Sequence, residues 1–438
     1  MVGRGRSPTR HSWRYWLTPG MGVKRFVTAA VAGGVLLSLG AAGGVVWLLG
    51  DGRQAASEPI EAMLTSPDWL RLGGWIALGA FAVGGWLVTW SVGSLNRSLL
   101  SHWLPEPSEV APRLHERLRR ARGPRIVAIG GGTGLSRLLR GMRSATSNLT
   151  AVVAVSDDGG SSGRLRAAFG MPAPGDLVDC LAALSDDEAA LGRLLDYRFE
   201  RGAELQGHTF GNLFLTTLTE VEGDFGDALR TANRMLDLSG AVYPATARPV
   251  ELLVRKRDGR EIVGERNAHE GGGAIAEVRL SPAGADALPE VVTVLGRAEL
   301  VVLGPGSLYT STVPPLLVPG VRAALLVSPA RLVYVCNIMT EDGETTGLDA
   351  WDHVAAIHAH LGRYPDAVVV NDRALDEARL RAYAEEGASL VEVDPQRFAA
   401  AGIRLIRLPL LDDGVHAQHD PDRLAEGLLA LERDWSRR

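Results

Sequence analysis

Two long stretches near the start of the chain contain no charged residue and are rich in Gly, Ala, Val and Leu. The first runs from Phe26 to Gly50 and the second from Leu72 to Val92. A helix of about 20 apolar residues is long enough to cross a lipid bilayer. The pattern therefore predicts a transmembrane helical hairpin formed by residues 26–50 and 72–92.

The charges that flank these stretches predict their orientation. Basic residues dominate residues 1–25 and recur from Arg97 onward, whereas the connecting loop, residues 51–71, has more acidic than basic residues. Because Lys- and Arg-rich flanks stay on the cytoplasmic side, both ends are expected there. We expect a basic cytoplasmic tail (1–25), an external loop (51–71) and a linker (93–123), with the hairpin in the inner (cytoplasmic) membrane.

A secretory signal peptide is the alternative interpretation of the first stretch. The apolar core of such a peptide has about 7–15 residues, which is shorter than this stretch, and the second span favours a hairpin. Since neither span carries a charge, we expect an anchor rather than a transport path.

Residues 124–438 alternate short apolar runs with amphipathic segments, which predicts strands alternating with helices. The predicted strands are Arg125–Ile129, Thr150–Val155, Glu299–Leu303, Ala323–Val327, Leu332–Cys336, Ala367–Val370 and Leu390–Val393. The predicted helices include Leu135–Arg143, Gly175–Leu184, Thr209–Val221, Phe225–Leu238, Ala350–Leu361 and Asp376–Glu386. This order predicts an α/β fold with a Rossmann-like, doubly wound, mostly parallel sheet, interrupted by a small antiparallel insert at 249–280.

Composition excludes several classes of function. The formal charge of −5 argues against a general nucleic-acid binder. Two cysteines, Cys180 and Cys336, give neither a disulfide framework nor a metal pattern. The only lysines are Lys24 and Lys256, so no Walker lysine follows a glycine loop. Lys256 falls in a polar hairpin turn of the sequence, which disfavours a Schiff-base lysine.

Two glycine-rich loops follow the first two predicted strands. The first is Gly130–Ser136, and the second is Ser156–Arg164. A helix that starts after such a loop presents free N–H groups and its positive dipole end, and glycine lets a phosphate approach the backbone. The first loop does not fit G-x-G-x-x-G, because Leu135 stands at the third glycine. Two such loops on adjacent strands predict a nucleotide or another phosphorylated ligand.

Five further segments stand at predicted strand ends or helix starts, where ligands of open α/β sheets bind. They are Met171–Asp176, Gly207–Asn212, Leu303–Ser311, Asn337–Thr340 and Asn371–Asp372.

Alternatives remain for the individual side chains. Asp157 and Asp158 are candidate Mg²⁺ ligands on a diphosphate, because hard cations take carboxylate oxygens; Asp157 could instead hold a ribose, and Asp158 could cap the turn. Asp176 either faces a ligand or stabilises a helix start through the dipole. His208 either lines the site or lies in the core. Asn212 either binds a base or phosphate of the ligand or only caps its helix.

Two groups of histidines are assigned no function. His416, His419 and Asp420 have metal-like spacing, but the surrounding polar segment favours a solvated loop. His353, His358 and His360 are expected on an ordinary helix.

The loops together resemble those of the YvcK-type gluconeogenesis factors, a branch of the CofD-like (2-phospho-L-lactate transferase) family. The resemblance rests on the collinear motifs Gly130–Ser136, Asp157–Arg166, Pro174–Asp176, Gly207–Leu213, Pro244–Thr246, Leu303–Ser311, Val335–Thr340 and Gly343–Glu344. It covers residues 124–438 and leaves the hairpin outside. Two positions depart from the family pattern. Val178 replaces the usual Arg, which argues against a side-chain contact to phosphate at this helix start, and Phe210 replaces Leu.

The resemblance implies a Rossmann-like nucleotide-binding fold and one of two activities. The gluconeogenesis-factor branch implies a UDP-sugar-binding regulator that supports cell-wall synthesis and cell shape, with no settled reaction. The transferase branch implies movement of a phospholactyl group from a GDP-linked donor to a deazaflavin, with Mg²⁺. A pure membrane scaffold is a third class, which the intact loops disfavour. We expect the first activity, binding without turnover, and a homo-oligomer.

The ligand-binding residues that this interpretation predicts lie on several loops. They are Gly131, Gly132, Thr133, Gly134, Asp157, Asp158, Gly159, Gly160, Ser161, Ser162, Arg164, Asp176, His208, Asn212, Gly304, Gly306, Ser307 and Asn337. The metal ligands, if Mg²⁺ binds, are predicted to be Asp157 and Asp158.

Overall fold

The computed structural model describes residues 23–50, 67–100, 110–269 and 272–437. Most of the predicted basic tail, the predicted external loop up to residue 66 and the linker residues 101–109 lie outside the described residues. The chain forms two compact units, Met1–Glu116 and Arg117–Arg438.

The first unit contains a pair of long apolar helices, α1 (Val23–Gly50) and α2 (Pro67–Leu100). Both are long and apolar enough to span a bilayer, over Arg25–Val46 (mean hydropathy 1.9) and Gly73–Leu95 (mean hydropathy 1.6). A third, bent pair of similar composition, Leu308–Leu316 with Pro319–Val327, has most of its residues buried in the second unit.

Glycines allow the two long helices to touch through their backbones. A Cβ on Gly40 would lie 2.5 Å from the amide nitrogen of Phe81, and one on Gly84 would lie 2.6 Å from that of Leu37. Small residues at such crossings replace side-chain volume by backbone contact, as also happens in membrane helix pairs. The pair is therefore built for tight packing along this seam.

The second unit is an α/β domain. Its strands are β1 (Ile126–Gly130), β2 (Leu149–Val153), β3 (Ala241–Pro244), β4 (Glu251–Lys256), β5 (Glu261–Val263), β6 (Ile275–Ser281), β7 (Leu300–Leu303), β8 (Arg331–Val335), β9 (Ala367–Asn371) and β10 (Arg404–Leu408). A helix that begins in the first unit, α3 (Val110–Ala121), leads into β1.

The helices of the domain follow in chain order. They are α4 (Gly132–Met142), α5 (Gly160–Phe169), α6 (Gly175–Leu184), α7 (Glu188–Leu195), α8 (Phe210–Glu222), α9 (Phe225–Met235), α10 (Pro289–Arg297), a π-helical turn (Leu308–Thr312), α11 (Val313–Leu316), α12 (Pro319–Val327), α13 (Ala350–Leu361), α14 (Glu377–Glu385), α15 (Pro395–Ala400) and α16 (Pro421–Ser436).

Seven of the described strands form one parallel sheet in the order β10-β9-β8-β7-β1-β2-β3. β1, β2 and β7 are buried along their whole length, as expected of a sheet covered on both faces. The chain moves outward from β1 to β3 on one side and later resumes at β7 on the other side of β1. The gap between β1 and β7 is thus the topological switch point, where such sheets bind ligands beyond their carboxyl ends.

The predicted fold class is confirmed, including the antiparallel insert. β4 pairs with both β5 and β6 in a three-stranded antiparallel sheet.

Some of the predicted elements are wrong. Ala323–Val327 forms the end of α12 rather than a strand, because Pro319 starts a helix there and a short apolar run fits either structure. Leu390–Val393 contributes only an isolated bridge from Leu390 to Met339. The edge strands β3 and β10 were not predicted, since both are short and only partly buried.

Candidate functional site

A cavity of about 350 Å³ opens at the switch point, beyond the ends of β1, β7 and β8. It is lined by Gly131, Gly132, Thr133, Gly134, Arg137, Pro305, Gly306, Ser307, Ser311, Asn337, Ile338, Met339, Thr340, Glu341, Tyr383, Ala417, Gln418 and His419. Of the predicted site residues, the first loop, Gly306, Ser307 and Asn337 line this cavity. The other predicted residues do not.

The first loop presents the start of α4 to the cavity. Gly132 is the first residue of that helix and has φ +62, where a side chain is strained but would meet no atom within 4 Å. Gly134 allows close approach of the segment Leu303–Ser311, called the third loop below, since a Cβ on Gly134 would lie 2.4 Å from the carbonyl oxygen of Pro305. The helix start is therefore open to a ligand on one side and packed against the third loop on the other.

The third loop, which follows β7, is held by the loop that follows β8. The amide of Gly306 donates to Oδ1 of Asn337 (3.4 Å), and the hydroxyl of Ser307 donates to Oε2 of Glu341 (2.6 Å). Glu341 also accepts from Nδ2 of Asn337 (3.1 Å). These side chains are thus linked to one another across one wall of the cavity.

A buried carboxylate, Glu344, fixes the π-helical turn next to that wall. Its Oε1 accepts from the amide of Tyr309 (2.7 Å) and its Oε2 from the hydroxyl of Thr310 (3.4 Å). Burial, and then the charge of Glu341, raise the pKa of Glu344. Glu344 falls within one of the sequence motifs, whereas Glu341 was missed because the sequence offered no signal for it.

Lys256 is not in a solvated turn, as the sequence had suggested. It is the last residue of β4 and is 1% exposed. Its ammonium donates to the carbonyl oxygens of Gly273 (3.1 Å) and Gly343. Burial lowers the pKa of Lys256, followed in effect by the nearby Arg260. The lysine joins the insert to the segment that carries Glu341 and Glu344.

Asp176, the second residue of α6, reaches the start of α4. Its Oδ2 accepts a 2.6 Å hydrogen bond from the amide of Gly132. Burial, and to a smaller degree the neighbouring carboxylate of Asp157, raise the pKa of Asp176 to about 7. A carboxylate thus already accepts a hydrogen bond from one of the N–H groups at the helix start that a phosphate would use.

The two carboxylates of the second loop have different partners. Asp157 accepts from the amide of Gly159 (2.8 Å), whereas Asp158 accepts from the amide of Arg266 in the insert (2.9 Å). Burial raises the pKa of Asp157. Asp158 thus ties the loop to the insert, and the carboxylate that acts on Asp176 is that of Asp157.

A further buried acid, Glu265, is affected by the charges of the same two carboxylates, Asp157 and Asp176. It accepts from the hydroxyl of Ser156 (3.2 Å), and burial followed by the charges of Asp176 and Asp157 raises its pKa well above the usual range. Among the residues that the structure describes, no three His, Cys, Asp or Glu side chains form a metal-binding group. Mg²⁺ is usually held by one or two carboxylates with water and substrate phosphates, so Asp157 and Asp176 fit such an ion as partial ligands.

Ser161 of the second loop forms an internal network with His208 and Asn212 of the segment Gly207–Asn212. The buried His208 places Nδ1 2.9 Å from the hydroxyl of Ser161, and Nδ2 of Asn212 donates to the same hydroxyl (3.0 Å). Arg164 donates to the carbonyl oxygen of Gln206 (3.2 Å). His208 and Asn212 therefore brace the start of α5 from within.

The chain segment before α16 forms the far wall of the cavity. Arg137 of α4 donates to Oδ2 of Asp412 (2.6 Å), to Oε1 of Gln418 (2.8 Å) and to the carbonyl oxygen of His419 (3.0 Å). The hydroxyl of Tyr383 accepts from the amide of Ala417 (2.8 Å). Three side-chain donors on one arginine thus hold this wall against the first loop.

The solvated-loop interpretation is wrong for His419. This residue is buried, with Nε2 3.2 Å from the carbonyl oxygen of Cys336, and burial lowers its pKa to about 4. Asp420 is the N-cap of α16. His416 is exposed, as expected.

Comparisons with known proteins agree with this architecture. The family described as "2-phospho-L-lactate transferase CofD" matches residues 126–411. The chain is 43% identical over 433 residues to the "Putative gluconeogenesis factor" of Deinococcus radiodurans, covering 95% of this chain and 89% of that protein. It is 41% identical over 312 residues to the "Gluconeogenesis factor" of Bacillus subtilis, covering 70% of this chain and 98% of that protein.

A solved structure shares the fold. A crystal structure of a Bacillus halodurans protein superposes with a TM-score of 0.67 at 40% identity, covering 70% of this chain and 100% of that chain. Like the match to the Bacillus subtilis relative, this match covers a length close to that of the α/β unit.

Proposed function

The chain belongs to the 2-phospho-L-lactate transferase CofD family, and within it we propose a membrane-anchored, cytoplasmic regulator that binds a UDP-sugar without turning it over. The relatives named gluconeogenesis factor support this branch over the transferase branch. The proposed role is support of cell-wall synthesis and cell shape. The two apolar helices would act as the anchor.

The observation that carries the proposal is the open start of α4 at the switch point. Gly132 has a backbone conformation that only glycine adopts readily, and no protein atom lies within 4 Å of the position that a Cβ would take. The third loop lines the same cavity. N–H groups at a helix start suit the diphosphate of a nucleotide sugar. The polar groups of Ser307 and Asn337 would then face the nucleoside or the sugar.

The state of the histidine that lines the cavity and of the two cysteines supports binding over turnover. His419 has its pKa lowered to about 4 and already bonds a backbone carbonyl group. Burial raises the pKa of the Cys336 thiol to about 12, so it stays protonated at neutral pH, and burial also raises the pKa of the Cys180 thiol well above its usual range. A thiol nucleophile needs a lowered pKa instead.

Mg²⁺ would be held by Asp157 and Asp176 together with the diphosphate. The ion would neutralise the charge of the phosphates and of these two carboxylates. The raised pKa values of both carboxylates support this assignment, because a bound cation would offset the burial that raises both values and the charge of Asp157 that further raises the value of Asp176. Asp158, which bonds the insert, would play no direct part.

A calorimetric titration of the α/β unit, residues 117–438, tests the proposal. UDP-N-acetylglucosamine, GDP and NAD would each be added with and without Mg²⁺. We expect the UDP-sugar to bind most tightly and Mg²⁺ to strengthen binding without being required. Binding of NAD alone would contradict the proposal.

The transferase is the second candidate, favoured by the proximity of Asp157 and Asp176. Incubation with a deazaflavin and a GDP-linked phospholactate donor should give no product. If product forms with the wild type and does not form with Asp157→Asn, the transferase proposal would replace the regulator proposal.

A further inference from the structure

The helix α3 (Val110–Ala121) carries an exposed apolar face. Leu114 is 55% exposed and Leu118 is 51% exposed. Residues four apart lie on the same face of a helix, so the two side chains form one continuous ridge. The part of the chain that the structure describes leaves this ridge in contact with solvent.

Arg120 fixes the side of α3 that lies away from this ridge to the rest of the α/β unit. Arg120 donates to the hydroxyl of Ser239 (2.8 Å) and to Oδ1 of Asp186 (3.1 Å). At about 100° per residue, Arg120 points roughly 160° away from Leu118. Arg117 adds an ion pair with Asp237 (3.1 Å). The helix therefore cannot turn its leucines inward without breaking these bonds.

The chain connects α3 closely to the apolar helix α2. Nine residues separate Leu100, the end of α2, from Val110. Even fully extended, nine residues reach only about 32 Å. If α2 spans a membrane, the leucine ridge is confined to the neighbourhood of that membrane's surface.

The charge of this region suits an anionic surface. Between residues 110 and 125 the chain has six arginines and one acidic residue, Glu116. Basic residues next to a span are attracted by anionic lipid headgroups, and a basic amphipathic helix lies in the interface with its apolar face several ångströms deep.

We infer that α3 is an interfacial helix whose Leu114 and Leu118 insert into an anionic lipid surface, while its arginines hold the α/β unit. This inference rests on the proposed membrane anchoring and adds a second contact to it. The contact would bind lipid through α3, in addition to the anchoring by α1 and α2.

Lipid quenching on the full chain tests the inference. Cys180 and Cys336 are buried, so a cysteine introduced by Leu118→Cys can be labelled selectively with an environment-sensitive fluorophore. Val415→Cys provides the control, because Val415 is an apolar residue 83% exposed on a loop of the α/β unit. Each labelled chain would be placed, one per disc, in lipid nanodiscs containing phosphatidylglycerol and nitroxide-labelled lipid.

We expect quenching at position 118 to exceed that at position 415 several-fold, with a blue-shifted emission at 118 only. Equal quenching at the two positions, in a chain that resists carbonate extraction, would overturn the inference and leave the anchoring intact. Extraction of the chain from membranes by carbonate would overturn both the inference and the proposed anchoring. If position 118 is protected from solvent only when two chains share a disc, the ridge contacts a second copy of the chain, and this result would also overturn the inference.

Discussion

The amide of Gly132 donates a 2.6 Å hydrogen bond to Oδ2 of Asp176. This bond places a carboxylate at the start of α4, where the proposed diphosphate would bind. Two anionic groups cannot share that position unless the carboxylate is protonated, moves, or is bridged by a cation. The pair is thus the point at which proton, metal and ligand binding are coupled.

Asp176 should make the stability of the α/β unit depend on pH. Its pKa is about 7 in the folded state, against an ordinary value of 3.8. The folded state therefore favours the protonated carboxyl group, whose stabilising contribution is complete below about pH 4 and is lost as the pH rises to about 7. We expect the wild type to lose up to about 1.4 kcal/mol per pH unit through this group across that window.

Asp176→Asn should remove this loss, since the amide stays neutral and its oxygen can still accept from Gly132. The free energy of unfolding, measured by denaturant titration from pH 4 to 8, checks this. Asp179→Asn provides a comparison. The pKa of Asp179 is raised to about 6, so the loss of stability that Asp179 causes with rising pH should end about one pH unit lower than the loss caused by Asp176. Parallel pH profiles for wild type and Asp176→Asn would contradict the assignment.

Gly132→Ala should abolish UDP-sugar binding while the domain remains folded. The site of the new Cβ is free of protein atoms but lies where the ligand would approach. The positive φ adds a strain of about 1–2 kcal/mol.

Gly170→Ala is the matched control. Gly170 ends α5 with φ +64, and a Cβ added there would also meet no atom within 4 Å, so the strain should be similar. Affinity measured by calorimetry should fall only for Gly132→Ala. An equal fall in both variants would mean that the loss reflects backbone strain and not the site.

Arg137→Ala should loosen the far wall of the cavity. The three hydrogen bonds from this guanidinium to residues 412–419 would be lost, and hydrogen bonds to charged groups contribute about 1.5–3 kcal/mol each. Amide hydrogen exchange in 412–418 should accelerate. Arg140→Ala, on the same helix but paired with Glu188, should leave that segment unchanged; slow exchange in both variants would show that Arg137 does not hold the wall.

The arginine distribution predicts that both ends of the chain are cytoplasmic. Reporter fusions at Ser57 and at Arg438 should therefore report opposite compartments. A periplasmic signal at Arg438 would contradict the proposed location of the nucleotide site.

Local patterns were sufficient to predict the fold class. The buried strand before Gly130 and the amphipathic helices around it have the periods that define an α/β sheet, and the turn at Asp258–Gly259 marks the insert. The run Ala323–Val327 was assigned wrongly because a short apolar run lacks a period, and only its packing decides between strand and helix.

The cavity was predictable only in part, because its walls come from distant parts of the chain. The glycines of the first loop carry a local signal, but Arg137 meets Asp412 across 275 residues. Glu341 and Tyr383 gain their positions from β8 and α14, and no local pattern distinguishes them from other polar residues. The burial of Lys256 and His419 likewise depends on contacts that are remote in sequence.

Phosphorus-31 NMR of UDP-N-acetylglucosamine with the α/β unit tests the central claim most directly, because one spectrum reports both binding and cleavage of the diphosphate. With wild type and Gly170→Ala, we predict that both diphosphate resonances shift and broaden, and that they remain those of an intact diphosphate for hours. With Gly132→Ala they should stay at the positions of the free ligand. Unshifted resonances at an excess of wild-type protein, or a phosphate monoester resonance that grows only when protein is present, would contradict the account.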